Sequence, residues 1–134
     1  MSQEQPKILV IDDDKDTLQL IEMVLGSQGY LVDLAKNSDE GSERLKEKRY
    51  DLVLLDLVLG DEKGEDFAES IRLSSVPGVS ETKIFFFSGE SPERLQEATF
   101  SSLSDGYLSK VQGVEVLVET INSLLGWNPT LSHA

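Results

Sequence analysis

Cysteine is absent from the chain, histidine and tryptophan occur once each, and 25 acidic residues stand against only 12 basic ones. With no cysteine there is no disulfide framework and no thiolate metal centre, although this says little about redox compartment. The shortage of Lys and Arg leaves a formal charge of −13 at pH 7. That charge opposes direct contact with nucleic-acid backbones or anionic membranes, both of which need clustered positive side chains. No apolar run approaches the roughly 18 residues of a membrane span, and no basic start with an apolar middle marks a leader. A cytoplasmic chain with no membrane attachment and no direct nucleic-acid partner is expected. Its 134 residues suffice for one core covered on both sides and leave no room for a second domain.

What the sequence does contain is an alternation of short apolar runs with segments of helical spacing, the pattern of an α/β domain. "KILVI" (7–11) is continuously apolar after Lys7, as a parallel strand buried on both faces requires. Thr17, Leu20, Ile21, Val24 and Leu25 then predict one helical face, with Gly29 as the stop. "YLVDLA" (30–35) predicts a second strand, and Asn37 or Ser38 a cap for a helix to about Lys48 whose apolar face is thin, Leu45 with Gly41 and Ser42. "YDLVLLDLVL" (50–59) predicts the central strand, ending at or near Asp56. A helix over 65–73 would bury Phe67 and Ile71, and 74–82 reads as a loop with a Pro-Gly turn. "KIFFFSG" (83–89) predicts the fourth strand, and Ser91, Pro92 and Glu93 start a helix with a hydroxyl cap and an early acid. "DGYLSK" (105–110) predicts the fifth strand, and Val114, Leu117, Val118, Ile121, Leu124 and Leu125 line the last helix.

Five strands alternating with five helices form a doubly wound sheet, whose sites lie at the carboxyl ends of the strands. At those ends stand Asp12 and Asp13, then Asp56, Ser88 and Lys110. Each residue alone has an ordinary reading. Asp13 and Asp14 suit a helix start, Asp56 a turn, Ser88 beside Gly89 a loop, Lys110 a solvated surface and Tyr107 a half-buried strand. Convergence is what those readings leave unexplained. Carboxylates about 4 Å apart repel by roughly 4 kcal/mol at an effective dielectric near 20, so the cluster calls for a cation. Oxygen donors without His or Cys select a hard ion, and few carboxylates with room for water suit Mg²⁺. With Lys110 at the side, such a site suits a phosphoryl group: Asp56 as nucleophile, the metal and lysine on its oxygens, Ser88 as a hydrogen-bond donor to the product.

"VIDDD" (10–14), "DLVLLD" (51–56) followed by Gly64, "FFFSG" (85–89) and "GYLSK" (106–110), in that order and spacing, resemble the receiver domains of two-component response regulators. The likeness runs from about Lys7 to Gly126. It implies a flavodoxin-like (βα)5 three-layer sandwich with a parallel five-stranded sheet of order 2-1-3-4-5, a receiver domain over 1–126 and a tail over 127–134. By the same likeness Asp56 is the phosphoacceptor, and Asp12, Asp13, Asp56 and the backbone carbonyl of Val58 hold Mg²⁺. Ser88 becomes the switch hydroxyl, Lys110 the family's lysine, and Tyr107 the aromatic whose rotation follows phosphorylation. A sensor histidine kinase or histidine phosphotransfer protein would donate the phosphoryl group. An output protein would read the face of the fourth helix, fifth strand and fifth helix. Such a chain is a monomer or weak dimer that assists only its own phosphorylation and dephosphorylation, and is not an enzyme on external substrates.

Three departures from the family pattern stand out. Val111 replaces the proline usual after the lysine, Gly60 replaces a proline beyond the phosphoacceptor and predicts a looser loop, and 74–82 is long. A cis bond before a non-proline residue costs about 2.5–4 kcal/mol, so the loop after Lys110 is expected to differ, and the lysine amine with it. The chain ends at Ala134, which reads as a stand-alone receiver or a piece of a longer protein. Trp127 reads as a packing residue, and His133 is not expected to relay phosphate. Rival readings are a docking module that needs no phosphorylation and a haloacid-dehalogenase-type phosphatase. The latter finds Asp12 and Asp14 at its spacing but Asp16 where Thr or Val belongs. Flavin binding fails because Asp12 to Asp14 would repel the phosphate.

Overall fold

A computed structural model describes residues 4–98 and 103–129. The elements in chain order are β1 (Lys7–Ile11), α1 (Lys15–Ser27), β2 (Leu31–Ala35), α2 (Ser38–Glu47), β3 (Leu52–Leu55), β4 (Val58–Leu59), β5 (Glu62–Lys63), α3 (Gly64–Arg72), β6 (Lys83–Ser88), α4 (Pro92–Ala98), β7 (Gly106–Ser109), a 3-10 turn (Lys110–Gln112) and α5 (Val114–Leu125). Strands β2, β1, β3, β6 and β7, in that spatial order, form a parallel five-stranded sheet. This is the flavodoxin-like order 2-1-3-4-5 when the five sheet strands are counted in sequence.

Strands β1, β3 and β6 divide their apolar residues between two cores. Leu9, Ile11, Val53, Leu55, Ile84 and Phe86 join Leu45, Phe67, Ile71 and Leu95 on one side. Ile8, Val10, Leu52, Leu54, Phe85 and Phe87 join Leu18, Ile21, Leu25, Leu117 and Ile121 on the other. A period of two within an uninterrupted apolar run is what a strand covered on both faces produces. Trp127 belongs to the second core. It is buried, donates its indole N–H to the Gln28 carbonyl at 2.7 Å, and sits 6.0 Å from the Tyr30 ring. His133 lies outside the described residues.

Two expectations need correction, the α1 stripe and the Gly60 loop. Helix α1 buries Leu18, Ile21 and Leu25, whereas Leu20 is 44% exposed. The stripe read from 17, 20 and 24 was rotated by one residue, because Ile21 and Leu25 belong to either stripe. The central strand ends at Leu55, beside Asp56 as expected, and Val58–Leu59 pair antiparallel with Glu62–Lys63 as a hairpin outside the main sheet. The loop at Gly60 is therefore not loose: Gly60 turns that hairpin at φ +63°, where a proline, fixed near −65°, does not fit. The long segment after α3 is tied down as well. Val79 is buried in it, and Arg72 donates to the carbonyls of Ser80, Thr82 and Leu103 while pairing with Asp105 at 3.2 Å.

Candidate phosphoryl site

The site forms where the ladder of the sheet runs out. Asp12 N–H donates to the Ala35 carbonyl and Asp56 N–H to the Ile11 carbonyl, each at 3.1 Å, so both aspartates are held by the last bonds of adjacent strands. Their side chains are largely buried, at 3% and 10% exposure. Asp13 is exposed at the mouth, and one carboxylate oxygen from each of Asp12, Asp13 and Asp56 lies within 4.8 Å of the others. From the end of β7, the Lys110 ammonium donates to Asp12 Oδ2 at 2.6 Å and to Asp56 Oδ2 at 3.0 Å. Asp56 Oδ1 accepts from Val58 N–H at 3.3 Å. An open cavity of about 380 Å³ brings together Asp13, Asp56, Val58, Ser88, Gly89, Glu90 and Lys110.

Burial sets the electrostatics. It raises the Asp12 carboxyl above the usual range by more than the hydrogen bonds from Lys110 and the Asp14 amide lower it, and the charge of Asp56 adds to the rise. The same burial pulls Lys110 down, but its bond to Asp12 and the charge and bond of Asp56 outweigh it and leave the ammonium above its ordinary value. One lysine against three carboxylates leaves two negative charges uncompensated. All donors are hard oxygens and Asp13 opens to water, so the set suits Mg²⁺ with several water ligands.

Asp14 takes no part. Its carboxylate accepts from Asp16 N–H at 3.1 Å and from Thr17 Oγ1 at 2.8 Å, capping α1. The second aspartate that a haloacid-dehalogenase reading needs is therefore occupied on the helix end. Ser88 is 1% exposed at the end of β6, and its Oγ faces Glu90 N–H at 3.5 Å. Tyr107 is 38% exposed on β7, opposite Phe86 in register.

Lys110 reaches the acids although no cis peptide occurs among the described residues. Ser109 and Gln112, which sequence reasoning passed over, close a capping box around the turn that starts at Lys110. The signal was present as Ser-x-x-Gln at 109–112, a capping-box spacing hidden by the shortness of the turn. Gly64 is a second fixed point: a Cβ there would lie 2.1 Å from the Asp56 carbonyl oxygen, so only glycine lets α3 start this close to the end of β3.

Residues 8–122 match the family model described as the response regulator receiver domain. The chain belongs to the response regulator receiver family. This receiver is 32% identical over 119 residues to the cell cycle transcriptional regulator CtrA of Caulobacter vibrioides, covering 89% of the receiver and 50% of CtrA. It is 30% identical over 121 residues to the transcriptional regulatory protein ResD of Bacillus subtilis, covering 90% and 48%. The chain thus spans about half the length of these relatives. Among solved structures, it superposes on a two-component response regulator from Clostridium difficile with TM-score 0.80 at 30% identity, covering 90% of this chain and 96% of that one.

Proposed function

We propose that this receiver is a phosphorylation switch with Asp56 as acceptor. The observation that carries the reading is the meeting of the buried Asp56 carboxylate, Asp13, the Lys110 ammonium and the buried Ser88 hydroxyl in one open cavity, with Asp12 behind it within reach of the same acids and lysine. Asp12, Asp13, Asp56 and the Val58 carbonyl would hold Mg²⁺, which when bound supplies a Lewis acid for phosphoryl oxygens.

An Asp56 carboxylate oxygen attacks the phosphorus of a donor phosphohistidine. The new O–P bond forms as the P–N bond breaks, and the electron pair leaves on the imidazole nitrogen, giving an aspartyl phosphate. Lys110, already on Asp56 Oδ2, is placed to follow the growing charge onto a phosphoryl oxygen. Ser88 donates its hydroxyl to another oxygen, and its movement biases the face of α4, β7 and α5 that carries Tyr107. Water later cleaves the acyl phosphate, releasing inorganic phosphate and restoring Asp56. The chain assists these steps on itself alone and acts on no external substrate.

The donor is a sensor histidine kinase or histidine phosphotransfer protein in the cytoplasm. Output follows only if a partner has unequal affinity for the two forms. The test is intact mass after incubation with acetyl phosphate, with and without Mg²⁺, for wild type and Asp56→Asn. One phosphoryl adduct that requires both the metal and Asp56 is expected. No adduct, together with no binding of beryllofluoride, would replace the switch with the docking-module reading.

A further inference from the structure

Ser109 is fully buried between two loops of the site. Its Oγ donates to the Glu90 carbonyl at 2.7 Å and accepts from Val111 N–H at 3.4 Å, while its own N–H donates to Gln112 Oε1 at 3.0 Å. Gly113 N–H closes the turn onto the Lys110 carbonyl at 3.1 Å. The backbone on both sides of Lys110 is thereby fixed without a proline. Glu90 is held from two directions, its N–H toward Ser88 Oγ and its carbonyl on Ser109 Oγ. One residue thus links the hydroxyl at the end of β6 to the turn that carries the lysine.

We propose that Ser109 and Gln112 are positioning residues of the phosphoryl site, forming a clamp that holds the Lys110 turn and the Ser88 loop as one unit. This rests on the phosphoacceptor reading. Val111 is part of the same device through its backbone. Its side chain is 76% exposed and packs little, but its N–H is the donor that a proline would lack. The departure from the family's proline and the capping box are therefore a matched pair. Ser88 can turn its hydrogen toward a phosphoryl oxygen while its oxygen still accepts from Glu90, so the clamp survives the switch and carries Ser88's movement to the lysine turn.

Time courses of adduct formation with acetyl phosphate and Mg²⁺ test this, with thermal melts alongside. Gln112 is exposed but accepts from the buried Ser109 N–H, so Gln112→Ala is expected to fold with a Tm lowered by only a few degrees. It should slow the rate at saturating acetyl phosphate about fivefold, the factor carried by one lost hydrogen bond, while the half-saturating concentration stays the same. Gln112→Glu, which keeps an acceptor oxygen at the same reach, restores the rate. Val111→Pro slows the reaction too, although it recreates the family pattern. Wild-type rates in both Gln112→Ala and Val111→Pro would overturn the clamp while leaving the phosphoacceptor reading intact. So would slowing that tracks a fall in Tm and is not rescued by Glu. A wild-type chain that forms no adduct removes both.

Discussion

Asp12, Asp13 and Asp14 are chemically identical, and the turn out of β1 gives each a different environment. Asp12 points into the sheet end, Asp13 lies at the mouth, and Asp14 folds back on the first turn of α1. Their substitutions separate accordingly. Asp14→Ala removes a cap and is expected to cost about 1 kcal/mol, read as a lower urea midpoint, with the yield of phosphoryl adduct unchanged. Asp13→Asn does the opposite: stability stays within about 0.5 kcal/mol, because the side chain is exposed, and adduct formation is lost. Equal effects of the two on either measurement would contradict the division. Run position alone did not reveal it, since any aspartate beside a helix start suits the helix dipole. What decides is which carboxylate the ladder aims inward, and Asp12 is the one whose N–H completes the pairing with β2.

Connections hold this fold to the site more than the strands do. Gly64 lets α3 begin against the Asp56 backbone, so Gly64→Ala forces atoms apart where neither side is a flexible side chain. A loss of about 1–3 kcal/mol is expected from overpacking, with slower adduct formation because Asp56 itself is displaced. Denaturant titration and mass time courses check both parts. Arg72 does comparable work far from the chemistry, using its planar fork on the carbonyls of Ser80, Thr82 and Leu103 and on Asp105. Arg72→Lys keeps the charge but not the fork and should lose about 1–3 kcal/mol in denaturant with Asp56 still phosphorylated. The main strands were legible because an apolar run such as 8–11 or 84–87 has no other stable place in a domain of this size. The end of β3 beside Asp56 was legible too, but the hairpin after it was not: Val58 and Leu59 are as apolar as Leu54 and Leu55, and the reversal at Gly60 pairs them with Glu62–Lys63 outside the sheet. Within the site, the groups at strand ends could be read from position. The clamp at Ser109 could not, because its partner Glu90 contributes a carbonyl, which every residue has.

Charge gathered at one end of the sheet ties the stability of the whole molecule to its ligand state. Asp12 binds its proton more tightly in the folded chain than the ordinary value of 3.8 allows. Stability from this group is therefore greatest at low pH and falls as pH rises through the folded pKa. Asp33 behaves with the opposite sign. Burial raises it, but hydrogen bonds from Tyr50 and Lys48 outweigh burial and lower it, so its contribution exists above 3.8 and disappears as pH falls through the folded value. In metal-free protein at pH 7, Asp12→Asn should accordingly raise the urea midpoint, and the gain should vanish as pH approaches 3.8. Mg²⁺ is expected to reverse the order: an ion that bound only the folded wild type would add about 2.7 kcal/mol when free metal is about 100 times Kd, and the variant would lack a ligand for it. Urea melts of both proteins, with and without Mg²⁺, at pH 7 and near pH 4, give the four comparisons. If wild type is the more stable of the two at pH 7 without metal, Asp12 is not strained by its burial, and the cation requirement inferred from its environment falls. If the variant leads without metal and trails with it, the acidic end of the sheet is a site kept at a cost to the fold until its ion arrives.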